Sequence, residues 1–285
     1  MLKLSELSKI AYKQLLVDLN DDLKKIDAKN DVTSHSLILN KLLIRAEISN
    51  REETVLCGIN FIEYFLKRKF PSLSFERYFN DGQYLRKNSK IMRIDGDCKK
   101  IFLIERSLLN LLQHLSGIAT YTNKIVKISN EKTKILDTRK TLPGLRKLQK
   151  YATSIGGAIN HRMGLYEEIL IKDNHIKVLG GMDKTISILN KKNIKKYKIE
   201  CENYEDVEKA IGAGASYILL DNMKPADIKK CIKLKQKLNS CIKFEITGGV
   251  SLDNIKNYCL LGADYISVGK ITNSAKSVDI GLDII

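Results

Sequence analysis

After residue 130 the sequence predicts an α/β architecture built on parallel strands, and three observations carry that expectation. Short β-branched and aliphatic runs alternate with helical stretches. Each run stops at a polar residue or a glycine. Between the runs the spacing is helical, as where Leu145, Leu148, Tyr151, Ala152 and Ile155 recur and Gly156-Gly157 then offers a stop.

Taken in order, Leu4 to Asp21 reads as an amphipathic helix. Residues 40 to 105 mix strands, such as Thr54-Val-Leu-Cys57 and Lys100-Ile-Phe-Leu-Ile104, with helical stretches such as Asn60 to Arg68, the signature of an α+β region. Glu105-Arg-Ser-Leu-Leu-Asn-Leu-Leu-Gln-His-Leu-Ser-Gly-Ile-Ala-Thr120 reads as a largely apolar helix joining the two parts, starting at Glu105-Arg106 and broken or bent near Ser116-Gly117. Six strands follow: Lys134-Ile-Leu136, Glu168-Ile-Leu-Ile171, Tyr197-Lys-Ile199, Tyr217-Ile-Leu-Leu220, Cys241-Ile-Lys-Phe-Glu-Ile246 and Asp264-Tyr-Ile-Ser-Val268. They are two short of a complete eight-stranded barrel, which leaves an α/β barrel or an open α/β sheet.

The composition narrows the function classes. With 285 residues, 44% of them hydrophobic, the chain fills one large domain or two modest ones. Its net charge of +16 suits nucleic acid, an acidic membrane or an anionic substrate. The densest run, Lys191-Lys-Asn-Ile-Lys-Lys-Tyr-Lys198, reads as a solvated lysine face; no aromatics interleave with the basic residues and Trp is absent, so no specific nucleic-acid partner is expected, although a basic nucleic-acid-binding protein is the competing class. The six cysteines form no Cys-x-x-Cys pair, which speaks against zinc or a disulfide framework and for a reducing, cytoplasmic setting. Glu6 and Lys9 interrupt the first apolar residues, and no stretch approaches the roughly 20 apolar residues of a spanning helix, so neither a signal peptide nor a membrane partner is expected.

The chemistry concentrates where the apolar runs stop. Arg139, Lys140, Arg162 and Lys172 each stand at such a stop or at a turn, which is how a pocket for a highly anionic small molecule is written. In a parallel α/β fold the carboxyl ends of the strands share one face, and here they deliver Asp137-Thr-Arg139-Lys140, Lys172-Asp173, Glu200, Asp221-Asn222, Thr247-Gly248-Gly249 and Gly269. The glycines after the last two strands let backbone N–H groups approach a phosphate. Glu200 and Asp221 have two readings: a pair that holds Mg²⁺ against phosphate oxygens, or ion-pair partners of Lys172 and Arg162 that keep the pocket rigid. His161 reads as an anion contact and His175 as structural; from spacing alone Arg106 is an exposed charge at a helix start.

The segments Glu105 to Thr120, Asp137-Thr-Arg-Lys-Thr-Leu-Pro-Gly-Leu-Arg146, Asn160-His-Arg-Met-Gly-Leu165, Leu170-Ile-Lys-Asp-Asn-His175, Leu219-Leu-Asp-Asn222 and Thr247-Gly-Gly249 strongly resemble the quinolinate phosphoribosyltransferases, also called nicotinate-nucleotide pyrophosphorylases (carboxylating). The resemblance extends from Asn30-Asp-Val-Thr-Ser34 to Asp279-Ile-Gly-Leu-Asp283. It implies an open six-stranded α/β barrel over 113–271, and an N-terminal α+β sandwich domain over 1–112 joined by the tail 272–285. It implies a homodimer or higher homo-oligomer whose active sites are shared, with Arg106 reaching quinolinate from the neighbouring subunit. Arg139, Lys140, His161, Arg162 and Lys172 fall on the family's contacts to quinolinate and phosphoribosyl pyrophosphate. Glu200 and Asp221 fall on its acidic pair near the ribose and Mg²⁺, and Thr247, Gly248, Gly249 and Gly269 on its phosphate loops. Lys140 is the candidate for assisting decarboxylation. The chain departs from the family pattern twice: Asn273 stands where a histidine is usual, and Lys198 where an acid is usual two residues before Glu200. A sister enzyme that uses nicotinate without decarboxylation, and related homologues associated with molybdenum transport, share the expected fold.

Overall fold

The computed structural model describes residues 3–129, 133–238 and 241–285, so Met1 and Leu2 of the N-terminal reading lie outside the described residues. The chain divides into two compact units, one made of 1–123, 143–156 and 275–285, the other of 124–142 and 157–274.

The first unit contains α1 (Leu4–Leu23), α2 (Val32–Leu37), β1 (Leu43–Asn50), β2 (Thr54–Val55), α3 (Ile59–Lys69), β3 (Ser74–Arg77), β4 (Tyr84–Leu85), β5 (Lys90–Asp97) and most of α4 (Cys98–Ser129). It also holds α5 (Arg146–Ile155) and the C-terminal strand Ile280–Ile284. Leu7, Ala11, Leu15 and Leu19 recur every four residues along α1, and that buried stripe joins Phe61 and Phe65 of α3 in the core. A four-stranded antiparallel sheet runs in the order C-terminal strand, β1, β5, β3.

Two sequence expectations are corrected here. Lys100 to Ile104, expected as a strand, lies within α4, which begins at Cys98 rather than at Glu105. A run of four apolar residues fits either element, and Ile101, Ile104, Leu108, Leu112 and Leu115 settle it by being buried at intervals of three and four. Nor does α4 break near Ser116-Gly117. Gly117 serves a close contact: a Cβ there would lie 2.1 Å from the Lys276 carbonyl oxygen, so only glycine admits the C-terminal segment.

The second unit has six parallel strands: β6 (Lys134–Leu136), β7 (Leu170–Ile171), β8 (Lys198–Cys201), β9 (Tyr217–Asp221), β10 (Lys243–Thr247) and β11 (Tyr265–Ser267). All six strands expected in this unit are present, β6 with its expected bounds and the other five with one or both ends shifted. Their order is β6-β11-β10-β9-β8-β7, and Ile159 adds a parallel bridge to Leu136. Among the intervening helices are α6 (Asp173–Leu179), α7 (Met182–Lys191), α8 (Tyr204–Gly212), α9 (Pro225–Lys237), α10 (Ile255–Cys259) and α11 (Lys270–Asn273).

The pleat gives this sheet two chemically distinct faces. One carries Ile199, Ile218, Leu220, Phe244, Ile246 and Ile266, all buried, and needs helices to cover it. The other carries Lys198 and Glu200 on β8, Tyr217 and Asp221 on β9, Glu245 and Thr247 on β10, and Tyr265 and Ser267 on β11. This second, polar face positions the candidate site.

Candidate active site

Parallel strands put all their carboxyl ends on one edge, and in the second unit that edge carries residues the sequence reading singled out. Lys172 follows β7 and its Nζ lies 2.5 Å from Oε1 of Glu200, a buried carboxylate near the end of β8. The backbone N–H of Asp173 donates to the other Glu200 oxygen at 3.4 Å. Asp221 ends β9. Burial pushes its carboxyl above the usual carboxylate range, the charge of Glu200 adds to the rise, and Lys172 and Lys140 oppose it. Each of those three charges is therefore close enough to be felt at Asp221. Lys172, Glu200, Asp221 and Lys140 come together at the strand ends, each with an opposite charge nearby.

The glycine turns are positioned with equal economy. Gly248 has φ +91°, and a Cβ there would fall 2.1 Å from Oδ1 of Asn222, so this turn excludes every other residue. Gly249 has φ +62° and faces open space. The backbone N–H of Asn222 donates to the Thr247 carbonyl at 2.9 Å, tying the ends of β9 and β10. After β11, the Lys140 side chain runs past Gly269, where a Cβ would lie 3.2 Å from its Cδ. Thr272 Oγ1 donates to the Lys140 carbonyl at 2.6 Å, so the loop after β6 is locked to the start of α11. Asn273 accepts from Ser274 Oγ through its Oδ1 at 2.7 Å, a neutral amide where a histidine was expected from the family pattern.

The segment 159–162 is organised by Asp137, which is fully buried at the end of β6. It accepts from Asn160 Nδ2 at 2.7 Å and from the His161 backbone N–H at 2.8 Å. His161 is turned inward: Nδ1 accepts from the Arg162 backbone N–H at 2.8 Å, and Nε2 lies 3.6 Å from Glu245. Burial opposes ionisation of Glu245, but hydrogen bonds from His161, Ser267 and Tyr217 outweigh it and hold that carboxyl below the usual range. Arg162 is buried, and its Nη1 donates to the Glu168 carbonyl at 2.9 Å. Arg139 is half-buried, and its carbonyl accepts from the Thr141 N–H. His175 has the structural place expected for it, accepting from the Lys172 N–H at 2.9 Å at the start of α6.

Arg106 belongs to the first unit, where its exposed side chain stands on α4, 4.0 Å from Glu105. No group of three or more His, Cys, Asp or Glu able to hold a metal occurs among the described residues. The carboxylates Glu200 and Asp221 nonetheless offer the hard oxygen donors that Mg²⁺ takes, one or two at a time, when substrate phosphates supply the rest. Lys198 departs from its sequence reading as part of a solvated lysine run: Lys191, Lys192, Lys195 and Lys196 are exposed, whereas Lys198 points to the polar face, its Nζ 3.1 Å from Glu168 and 4.2 Å from the Tyr217 ring centroid. Glu168, Tyr217 and Glu245 were missed as well. The signal for the two strand residues was period-2 polarity, since Tyr217 shares a face with Asp221, and Glu245 with Thr247.

Comparison with known proteins gives the family and agrees with the fold. Family models described as the quinolinate phosphoribosyl transferase N-terminal and C-terminal domains match residues 31–116 and 118–283. A probable nicotinate-nucleotide pyrophosphorylase [carboxylating] from Methanocaldococcus jannaschii is 39% identical over 265 residues, 90% of this chain and 92% of that one. A crystal structure of nicotinate-nucleotide pyrophosphorylase from Ehrlichia chaffeensis superposes with a TM-score of 0.87 at 37% identity, covering 100% of this chain and 99% of that one. The Francisella tularensis nicotinate-nucleotide pyrophosphorylase structure gives the same TM-score at 33% identity, over 98% and 97%.

Proposed function

The chain belongs to the quinolinate phosphoribosyltransferase family, the carboxylating nicotinate-nucleotide pyrophosphorylases, and from that premise we propose how its own residues carry the reaction. The enzyme transfers phosphoribose from phosphoribosyl pyrophosphate to quinolinate with decarboxylation, giving nicotinate mononucleotide, pyrophosphate and CO₂ in NAD biosynthesis. The reading rests above all on the convergence of Lys140, Lys172, Glu200 and Asp221 at the strand ends.

The substrates bring two carboxylates, a 5′-phosphate and a diphosphate, which repel one another. Arg139, Arg162 and Lys172 hold quinolinate, the arginines gripping carboxylates through paired donors and the lysine acting as a point charge. His161 belongs with this group through the backbone it shares with Arg162. Thr247, Gly248, Gly249 and Gly269 cradle the phosphates with backbone N–H groups. Holding both anions side by side aligns the ring nitrogen with the ribose C1 for displacement of pyrophosphate. Glu200 and Asp221 face the ribose hydroxyls and the positive charge that grows on the sugar as the bond breaks. The same two carboxylates would hold Mg²⁺, which supplies charge neutralisation to the departing pyrophosphate when bound. Glycosylation makes the ring nitrogen cationic, so loss of the adjacent carboxylate as CO₂ leaves a carbanion stabilised by that charge. Lys140, beside Gly269, assists the step electrostatically or by proton delivery.

The finer architecture and assembly are part of the proposal. The six-stranded sheet forms an open barrel, the first unit an α+β sandwich, and the working enzyme is a homodimer or larger with Arg106 lent to the neighbouring subunit's quinolinate. Five buried free cysteines fit a reducing cytoplasm, and no helix among the described residues is long and apolar enough to cross a membrane.

The test is nicotinate mononucleotide formation and CO₂ release from quinolinate and phosphoribosyl pyrophosphate, with and without Mg²⁺. Turnover of nicotinate without CO₂ release would assign the sister chemistry instead. Mixing inactive Arg106→Ala and Lys172→Ala chains should restore activity through hybrid assemblies; none appearing despite subunit exchange sinks the shared site.

A further inference from the structure

Six residues on and beside the polar face of the second unit's sheet close a ring of contacts. From Arg162, Nη1 donates to the Glu168 carbonyl at 2.9 Å, and the Glu168 carboxylate pairs with Lys198 Nζ at 3.1 Å. Lys198 lies over the Tyr217 ring at 4.2 Å, and the Tyr217 hydroxyl donates to Glu245 at 2.7 Å. Glu245 faces His161 Nε2 at 3.6 Å, and His161 Nδ1 accepts from the backbone N–H of Arg162 at 2.8 Å. The path leaves Arg162 through its guanidinium and returns through its main chain.

From this ring we infer that Lys198 and Glu168 are positioning residues that brace Arg162 for one quinolinate carboxylate. The inference rests on the reading of Arg162 as a quinolinate contact. Arg162 is buried, and its Nε has no hydrogen-bond partner among the described residues. A buried donor without a partner is costly, which suits a group kept for a ligand. One side of the guanidinium is thus anchored to Glu168 while another donor is held ready. The anchor is a carbonyl, which cannot fix its own position; the Glu168 side chain does so through an ion pair, made without a hydrogen bond at Oε1, to a lysine that is itself only one-fifth exposed and seated on an aromatic ring. This explains why Lys198 stands where the family usually carries an acid. A second carboxylate there would confront Glu168 and push it, with its carbonyl, away from Arg162.

Removing the brace should loosen carboxylate recognition and leave phosphate recognition intact. In Lys198→Met and in Glu168→Gln we expect KM for quinolinate to rise about tenfold, with KM for phosphoribosyl pyrophosphate within about twofold of wild type. The exchange variant Lys198→Glu with Glu168→Lys, which reverses the pair, should recover most of the loss. If Lys198→Met does not fold, Glu168→Gln is read in its place, because it keeps the carbonyl and removes only the charge. Arg162→Lys separates the two claims. A raised quinolinate KM in Arg162→Lys, with none in folded Lys198→Met and Glu168→Gln, overturns the brace and leaves the site reading standing. An unchanged KM in Arg162→Lys overturns both, and equal rises for both substrates reduce Lys198 to a general stability role.

Discussion

The two sheets of this chain use the same alternation against opposite surroundings. In the first unit, β1 buries Ala46 and Ile48 and turns Arg45 and Glu47 outward, where Arg45 meets Asp95 at 2.6 Å and Lys90 meets Glu47 at 3.0 Å. In the second unit the polar face is enclosed: Glu245 is 1% exposed and Glu200 5%. The contacts are similar in kind and length. They differ in what water does once a partner is lost, because an exposed charge is solvated again whereas an enclosed one is stranded. Charge on the first sheet is therefore replaceable, whereas charge on the second sheet is where the proposed mechanism draws its residues.

The largest break in that comparison should come from Arg162→Ala. We expect kcat/KM for quinolinate to fall at least about 100-fold, or about 2.7 kcal/mol in transition-state terms. A loss below about threefold in steady-state assays would place Arg162 outside the site. Asp137→Ala comes next. It removes the acceptor for the Asn160 side chain and the His161 backbone N–H, and the fully buried position gives water little access to the stranded donors. Unfolding free energy should drop by about 2 kcal/mol in urea melts, with quinolinate affinity falling too because 159–162 loses its anchor. A stable variant with weak quinolinate binding would sharpen the contrast, by showing that the enclosed acid serves geometry more than folding.

How far this was legible in the sequence depended on whether direction or only position mattered. The strand ends were legible: Lys172, Glu200, Asp221 and Thr247 stand where apolar runs stop, and a parallel sheet gathers those stops on one edge. Gly248 was legible as a turn, and the structure adds that Asn222 leaves no room for a side chain. Lys198 was legible as a departure from the family pattern but not in its direction, because four exposed lysines precede it and charge composition carries no orientation. Only its place on β8, two residues before Glu200, turns it to the polar face. Glu168 lies outside any strand and acquires its meaning from Lys198 and from its carbonyl, neither of which a pattern reveals. The misread strand at Lys100 to Ile104 failed for the converse reason, its pattern being too short to separate two periods.

A subtler break uses pH. Burial and the charge of Glu200 raise the Asp221 carboxyl, so the folded chain holds that proton more tightly than the unfolded chain does. Ionised Asp221 therefore opposes folding above its raised value, and the opposition disappears once pH falls below the ordinary carboxylate value. Asp221→Asn should melt higher than wild type at neutral pH while losing activity, with the gap in Tm narrowing on acidification and closing in acid. A gap that does not change with pH would attribute the effect to packing rather than to the Asp221 charge.

The smallest expected effect is also a control on the whole comparison. Arg45 sits on the polar face of the first sheet with more than half of its side chain exposed, and it shares Asp95 with Arg93, whose Nε lies 2.9 Å from the same carboxylate. The Asp95 carboxyl is held below the usual range first by the Arg45 hydrogen bond, with burial opposing and Arg93 helping. Removing Arg45 leaves Arg93 and water as partners, so Arg45→Ala should change stability by no more than about 0.5 kcal/mol and leave both KM values where they were. Raising the salt concentration should erase even that difference, since screening acts on exposed pairs and hardly at all on enclosed ones. Should Arg45→Ala instead cost as much as Asp137→Ala, exposure would no longer distinguish the two sheets, and the argument that enclosure makes the second sheet's charges indispensable would have to be abandoned.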